Sequence, residues 1–160
     1  MDRAIGAVLL GLPVLLAGGA VQAQSQPEPH QGCRFLLPIG GSGGPVVEKR
    51  ISPDGLIRRT NWNTDFAVDR AFTSYRITLQ SASSDPGVFP TAAFLRFTDN
   101  SDLRLVNENL NLQPREERQF GPFPAVPGKR TSQVNVRVGS SAMPGSTGFS
   151  YRVSVQGCGA

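Results

Sequence analysis

Apolar side chains recur at every second residue through much of this chain, and that period commits it to strands. Tyr75, Ile77 and Leu79 alternate with Arg76, Thr78 and Gln80. Val134, Val136 and Val138 alternate with Asn135 and Arg137, and Phe149, Tyr151, Val153 and Val155 with Ser150, Arg152 and Ser154. Successive side chains of an extended backbone point to opposite faces, so each stretch offers one face to a core and one to water. Ala93, Leu95 and Phe97 form another such stretch, with Arg96 facing the other way. Leu103 and Leu105 bracket Arg104, and Phe66 and Val68 alternate with Asp65, Ala67 and Asp69. Residues 33–37 read as a brief strand, followed by a Gly/Ser loop at 38–45. Residues 46–51 and 56–60 flank Ser52-Pro53-Asp54-Gly55, a turn tetrapeptide, and are expected to form a hairpin. Residues 98–102, Thr-Asp-Asn-Ser-Asp, read as the turn of a second hairpin.

Helical signals are weak. Residues 113–120 place Pro114 at a first turn with Glu116 and Glu117 behind it, but carry no apolar face. They are expected to form a loop or a single turn. Phe120-Gly121-Pro122-Phe123-Pro124 reads as a Pro-rich loop folded back to plug the end of a sandwich. Short strands separated by Pro/Gly turns predict an all-β fold, an antiparallel β-sandwich of about eight strands. Trp62 lies early and outside the clear alternation, so the chain makes a poor match to the Cys…Trp…Cys pattern of immunoglobulin domains.

The first residues set the compartment. Arg3 precedes an uncharged apolar run, which closes on Val21-Gln22-Ala23 with small residues three and one before a cut. This is the layout of a secretory signal peptide over 1–23. The rival is a membrane anchor, since residues 4–21 are uncharged and near the lower limit for a span. Gly and Pro13 within the run, and no basic cluster after it, favour cleavage. A flexible leader at 24–32 and a single domain at 33–160 follow. The chain is expected to be secreted or periplasmic, with no stable membrane insertion after cleavage. Cys33 and Cys158, one at each end of that domain, then read as a structural disulfide. A redox pair needs closer spacing.

The chemistry-bearing motifs each have a plain explanation. Gly40-Gly41-Ser42-Gly43-Gly44 matches the nucleophile-elbow pattern, but Pro45 follows instead of a helix. The only histidine, His30, lies upstream in the leader, so Ser42 has no base in the order that chemistry uses. Asp99, Asn100, Ser101 and Asp102 could offer oxygens to calcium, yet lack the spacing of a calcium loop and suit a self-bonded turn. No cofactor loop or metal cluster is read, and no catalytic residue is assigned.

Charge supplies the one suggestive constellation. The chain carries a net charge of +4, with fourteen of its sixteen basic residues arginine, and these are scattered. No basic block marks nucleic acid as a partner. Arg76, Arg96, Arg104, Arg137 and Arg152 all occupy the outward register of clear strands. The guanidinium fork suits carboxylate, sulfate and phosphate. Arg76, Arg137 and Arg152, from the three clearest strands, are the candidate anion-binding residues. The bland reading is a solvated face with charges of little energetic consequence. The expected function is an exported, non-catalytic protein that binds or supports a partner at the cell surface or in the periplasm. An anionic-carbohydrate or polyanion-binding module is the alternative. A hydrolase using carboxylates alone is a third reading.

Overall fold

A computed structural model describes residues 27–41, 43–55 and 59–159. Among the described residues nine strands follow one another: β1 Cys33–Phe35, β2 Val47–Arg50, β3 Asn63–Ala67, β4 Ser74–Ser81, β5 Gly87–Phe97, β6 Asp102–Leu112, β7 Glu117–Pro124, β8 Thr131–Val138 and β9 Ser150–Cys158. A 3-10 turn at Pro144–Ser146 precedes β9. One sheet has five strands in the order β1-β9-β4-β7, with β2 also paired to β9. The other has four, β3-β8-β5-β6. All the pairings are antiparallel, and the two sheets pack as a β-sandwich. The expected signal peptide lies outside the described residues. Among the described residues no helix is long and apolar enough to cross a membrane.

The alternation seen in the sequence builds the core directly. Tyr75, Ile77 and Leu79 of β4 and Tyr151, Val153 and Val155 of β9 point inward from the five-stranded sheet. Phe66, Phe89, Leu95, Val134, Val136 and Val138 meet them from the other sheet. Interiors of this kind gain from every apolar group withdrawn from water. The Tyr151 hydroxyl lies toward Thr64, but neither oxygen meets hydrogen-bond geometry, so both are buried without a close partner.

Two strand expectations require correction. Residues 46–51 do supply a strand, and the partner seen for β2 is β9, at the other end of the chain. Leu56, Ile57 and Arg58 lie outside the described residues. Ser52 and Asn61 hold the neck of this excursion, each backbone N–H donating to the other's side-chain oxygen at 3.1 Å. Residues 117–124, expected as turn and loop, are strand β7. Pro122 and Pro124 fit there because β7 is an edge, where a missing donor costs nothing. Phe120 and Phe123 face inward beside Ile77 and Tyr75 and pack partly buried on the core. Residues 113–116 are the turn that was expected.

The second hairpin is present as expected: β5 and β6 are joined through Asn100, whose φ of 65° suits an asparagine turn. Asp99 accepts from Ser101 and from the Lys129 ammonium at 2.9 Å, which holds its carboxyl well below the usual carboxylate range. Its oxygens are engaged by the turn and by Lys129.

The disulfide joins Cys33 and Cys158, which are direct neighbours across β1 and β9. Beyond β1 the chain leaves this sheet. Ile39 donates to the Asp65 carbonyl, and Ala67 donates to the Leu37 carbonyl, so residues 37–39 form a strap along β3 of the opposite sheet. Leu37 and Ile39 stay exposed on it. The chain then returns to β9 as β2. Lys49 ties the same two edges together, its ammonium donating to the carbonyls of Asn63 at 2.8 Å and Asn61 at 3.2 Å. The leader, read as flexible, is fastened over its described part: His30 N–H donates to Gln156 Oε1 at 2.9 Å, and Gly159 N–H to the Gly32 carbonyl.

Candidate functional site

Strand register sorts the five outward arginines between two surfaces. Arg76 of β4 and Arg152 of β9 lie on the outer face of the five-stranded sheet, where Arg76 is opposite Gln156 and Arg152 opposite Gln80. Arg137 belongs to β8 in the other sheet. The expected grouping of Arg76, Arg137 and Arg152 therefore does not form one face. The physical reason is that alternation tells inward from outward but not which sheet a strand joins. Arg152 is also engaged, with its Nε 2.8 Å from Glu48 Oε2 on β2.

A different trio does share a surface. Across the four-stranded sheet, Asn63, Arg137, Ala92 and Asn107 form one row. Asp65, Asn135, Phe94 and Arg104 form the next. Ala67, Gln133, Arg96 and Asp102 form the third. Directly paired residues of antiparallel strands project to the same side, so all twelve face outward. From sheet spacings, the Cα atoms of Arg96 and Arg104 lie roughly 8 Å apart, and Arg137 lies roughly 12–14 Å from either. Among the described residues, none of these three arginines makes an ion pair.

Two of the guanidiniums rest on aromatic rings. Arg104 Cζ sits 5.8 Å from the centre of Phe94, its register partner. Arg137 Cζ sits 5.2 Å from the Trp62 ring. Stacking of this kind orients the planar fork while leaving its edge free to donate. Trp62 is in turn fixed: it is buried, and its Nε1–H donates to the Ser52 carbonyl at 2.9 Å. Gly139 closes the packing, because a Cβ there would lie 2.5 Å from the Trp62 ring and its φ is +125°.

The arginines are set among amides and shallow relief. A depression of about 390 Å³ lies against Arg96, Phe94, Gln133 and Asp102. A second, of about 250 Å³, lies against Arg137, Asn107 and Asn109. Two carboxylates share the face. Asp65 accepts from Asn135 Nδ2 at 2.8 Å, and its charge pulls the nearby Lys49 ammonium upward against the larger effect of burial, which lowers it. Asp102 lies opposite Arg96. The surface thus offers forked donors and amide donors and acceptors over a nearly flat area. His30 lies against the opposite sheet.

Sequence reasoning marked Arg96 and Arg104 as outward but did not group them with Arg137. The missing information was the β5–β8 pairing, between strands far apart in the chain. The period-two run Asn107, Asn109, Asn111 at one edge was a readable signal for the amide row. No protein-family model matches this chain, and no curated protein matches its sequence.

Proposed function

We propose that this is an exported, non-catalytic binding protein whose four-stranded face takes an anionic polymer, a carboxylated or sulfated carbohydrate in particular. The observation that carries the reading is the trio Arg96, Arg104 and Arg137, on one face and outside any ion pair among the described residues. Carbohydrate is favoured over a bare polyphosphate because Asn63, Asn107 and Gln133 surround the cations with groups that pair with hydroxyls. Asp65 and Asp102 also lower the net positive charge there, which favours a sparsely charged chain. Export fits the Cys33–Cys158 disulfide, which persists in oxidising compartments.

Heparin and alginate affinity chromatography test this reading. The wild-type protein should be retained at low ionic strength and released as salt rises, since exposed charges are screened within about 10 Å at 0.1 M salt. Changing Arg96, Arg104 and Arg137 to Gln should abolish retention. A charge-matched control, Arg76, Arg118 and Arg152 to Gln on the five-stranded sheet, should elute close to wild type. Equal elution of the two variants, or flow-through of the wild type, would sink the proposal.

A further inference from the structure

The outer face of the five-stranded sheet holds a groove with a different character. It has a volume of about 370 Å³, within the range of about 300–1,000 Å³ typical of small-ligand sites. Its floor comes from the central strands, with Thr78 and Gln80 of β4 beside Ser154 and Gln156 of β9. Gln119 of β7 forms one side and Phe35 of β1 the other. The leader makes a further wall through Pro27, Glu28 and His30, held there by the His30–Gln156 bond.

Three features define what such a groove accepts. First, its one lining guanidinium is compensated. Arg152 is bound to Glu48, so an anionic ligand finds no free cation at that group, and the carboxylates of Glu28 and Glu117 in the lining disfavour anions further. Second, the amides are positioned by their neighbours. Gln80 Nε2 donates to the Arg115 carbonyl at 3.3 Å, and Gln156 Oε1 accepts from the leader. Each carboxamide keeps further donor or acceptor capacity. Third, the half-buried Phe35 ring lines the groove beside these polar groups. Hydroxyls paired with fixed amides, and C–H faces laid on an aromatic ring, are what a sugar ring requires. We propose that this groove is a binding site for an uncharged oligosaccharide, separate from the arginine face.

The test is titration of the oxidised, isotopically labelled protein with neutral hexasaccharides of glucose, mannose, xylose and N-acetylglucosamine, followed by two-dimensional NMR. At least one sugar should produce saturable shifts in the side-chain amide signals of Gln80, Gln119 and Gln156. The double variant Gln80→Ala, Gln119→Ala should weaken that titration at least tenfold while its backbone spectrum stays folded. The Arg96, Arg104 and Arg137 to Gln variant should titrate like wild type, which separates this site from the anionic one. The proposal is overturned if none of the four sugars shifts these signals. It is equally overturned if the shifts fall on the four-stranded face, or if the double variant binds as tightly as wild type.

Discussion

The two outer faces of this sandwich are built from the same kinds of residue and differ in how their arginines are engaged. Each carries arginines and amides in the outward register of regular strands. On the five-stranded face an edge strand, β2, brings Glu48 against Arg152, and Gln119 engages Glu117. On the four-stranded face the edge strand β6 contributes arginine and asparagine, and the guanidiniums of Arg104 and Arg137 stack on rings. Which neighbour a strand receives, more than its own composition, decides whether its charges are quenched or left available. A surface ion pair is worth little in stability, commonly under about 1 kcal/mol, but it removes a binding group.

The largest test of this contrast is covalent. Changing both Cys33 and Cys158 to Ser should lower stability by about 2–5 kcal/mol, the upper end being the chain-entropy value for so long a loop. Hydrogen exchange should accelerate most in β1, β9 and the leader, and least in β5 and β6. Uniform acceleration would mean that the two faces are not separately anchored. Next is Gly139→Ala, which acts on the opposite face. A side chain at φ +125° pressed on Trp62 should cost about 1–3 kcal/mol in a urea melt and weaken anionic binding by tilting the ring beneath Arg137. A variant as stable as wild type would show that Trp62 moves freely.

A titration gives the third effect. Burial pushes the Tyr151 and Tyr75 phenols above their ordinary value of 10.0, Tyr151 by far the more. Above pH 10 the unfolded chain releases these protons first. Stability should therefore be complete below pH 10 and fall as pH rises beyond it, by at most about 1.4 kcal/mol per pH unit from Tyr151. Tyr151→Phe should flatten most of that decline in denaturant melts at pH 9 to 11.5. An unchanged slope would place the alkaline sensitivity elsewhere. The smallest effect is the most direct comparison. Glu48→Gln frees Arg152 and should change stability by less than about 1 kcal/mol. It should also raise the salt needed to elute the protein from heparin, moving the five-stranded face toward its opposite.

Local patterns carried the fold a long way. The Tyr75–Leu79, Val134–Val138 and Tyr151–Val155 alternations located strands β4, β8 and β9, and the Asn100 turn located the β5–β6 hairpin. Cys33 and Cys158 were legible as a pair from their placement at the two ends of the domain, taken with the expected export. What stayed hidden depends on contacts between distant segments. Val47–Arg50 looks like half of a local hairpin, yet its partner is at the far end of the chain. Phe120–Pro124 looks like a loop because prolines punctuate it, and an edge position makes those prolines harmless. An irregularity between Ala93 and Phe94 in the β5–β6 ladder shifts the inward register from Leu103 to Val106, opposite Ala93, which strict alternation from Leu103 and Leu105 does not anticipate. The candidate site failed in the same way. Each arginine's direction was readable, but not the sheet it joined.

The bond between Cys33 and Cys158 has a mechanical consequence. A pull applied at residues before Cys33 and after Cys158 passes straight through the sulfur atoms and bypasses the sandwich. The strands between them bear almost no tension, so β4, β5 and β8 stay registered while the flanking segments stretch. A domain wired in this way keeps both its surfaces in shape under load, and yields only when a reductant opens the shunt.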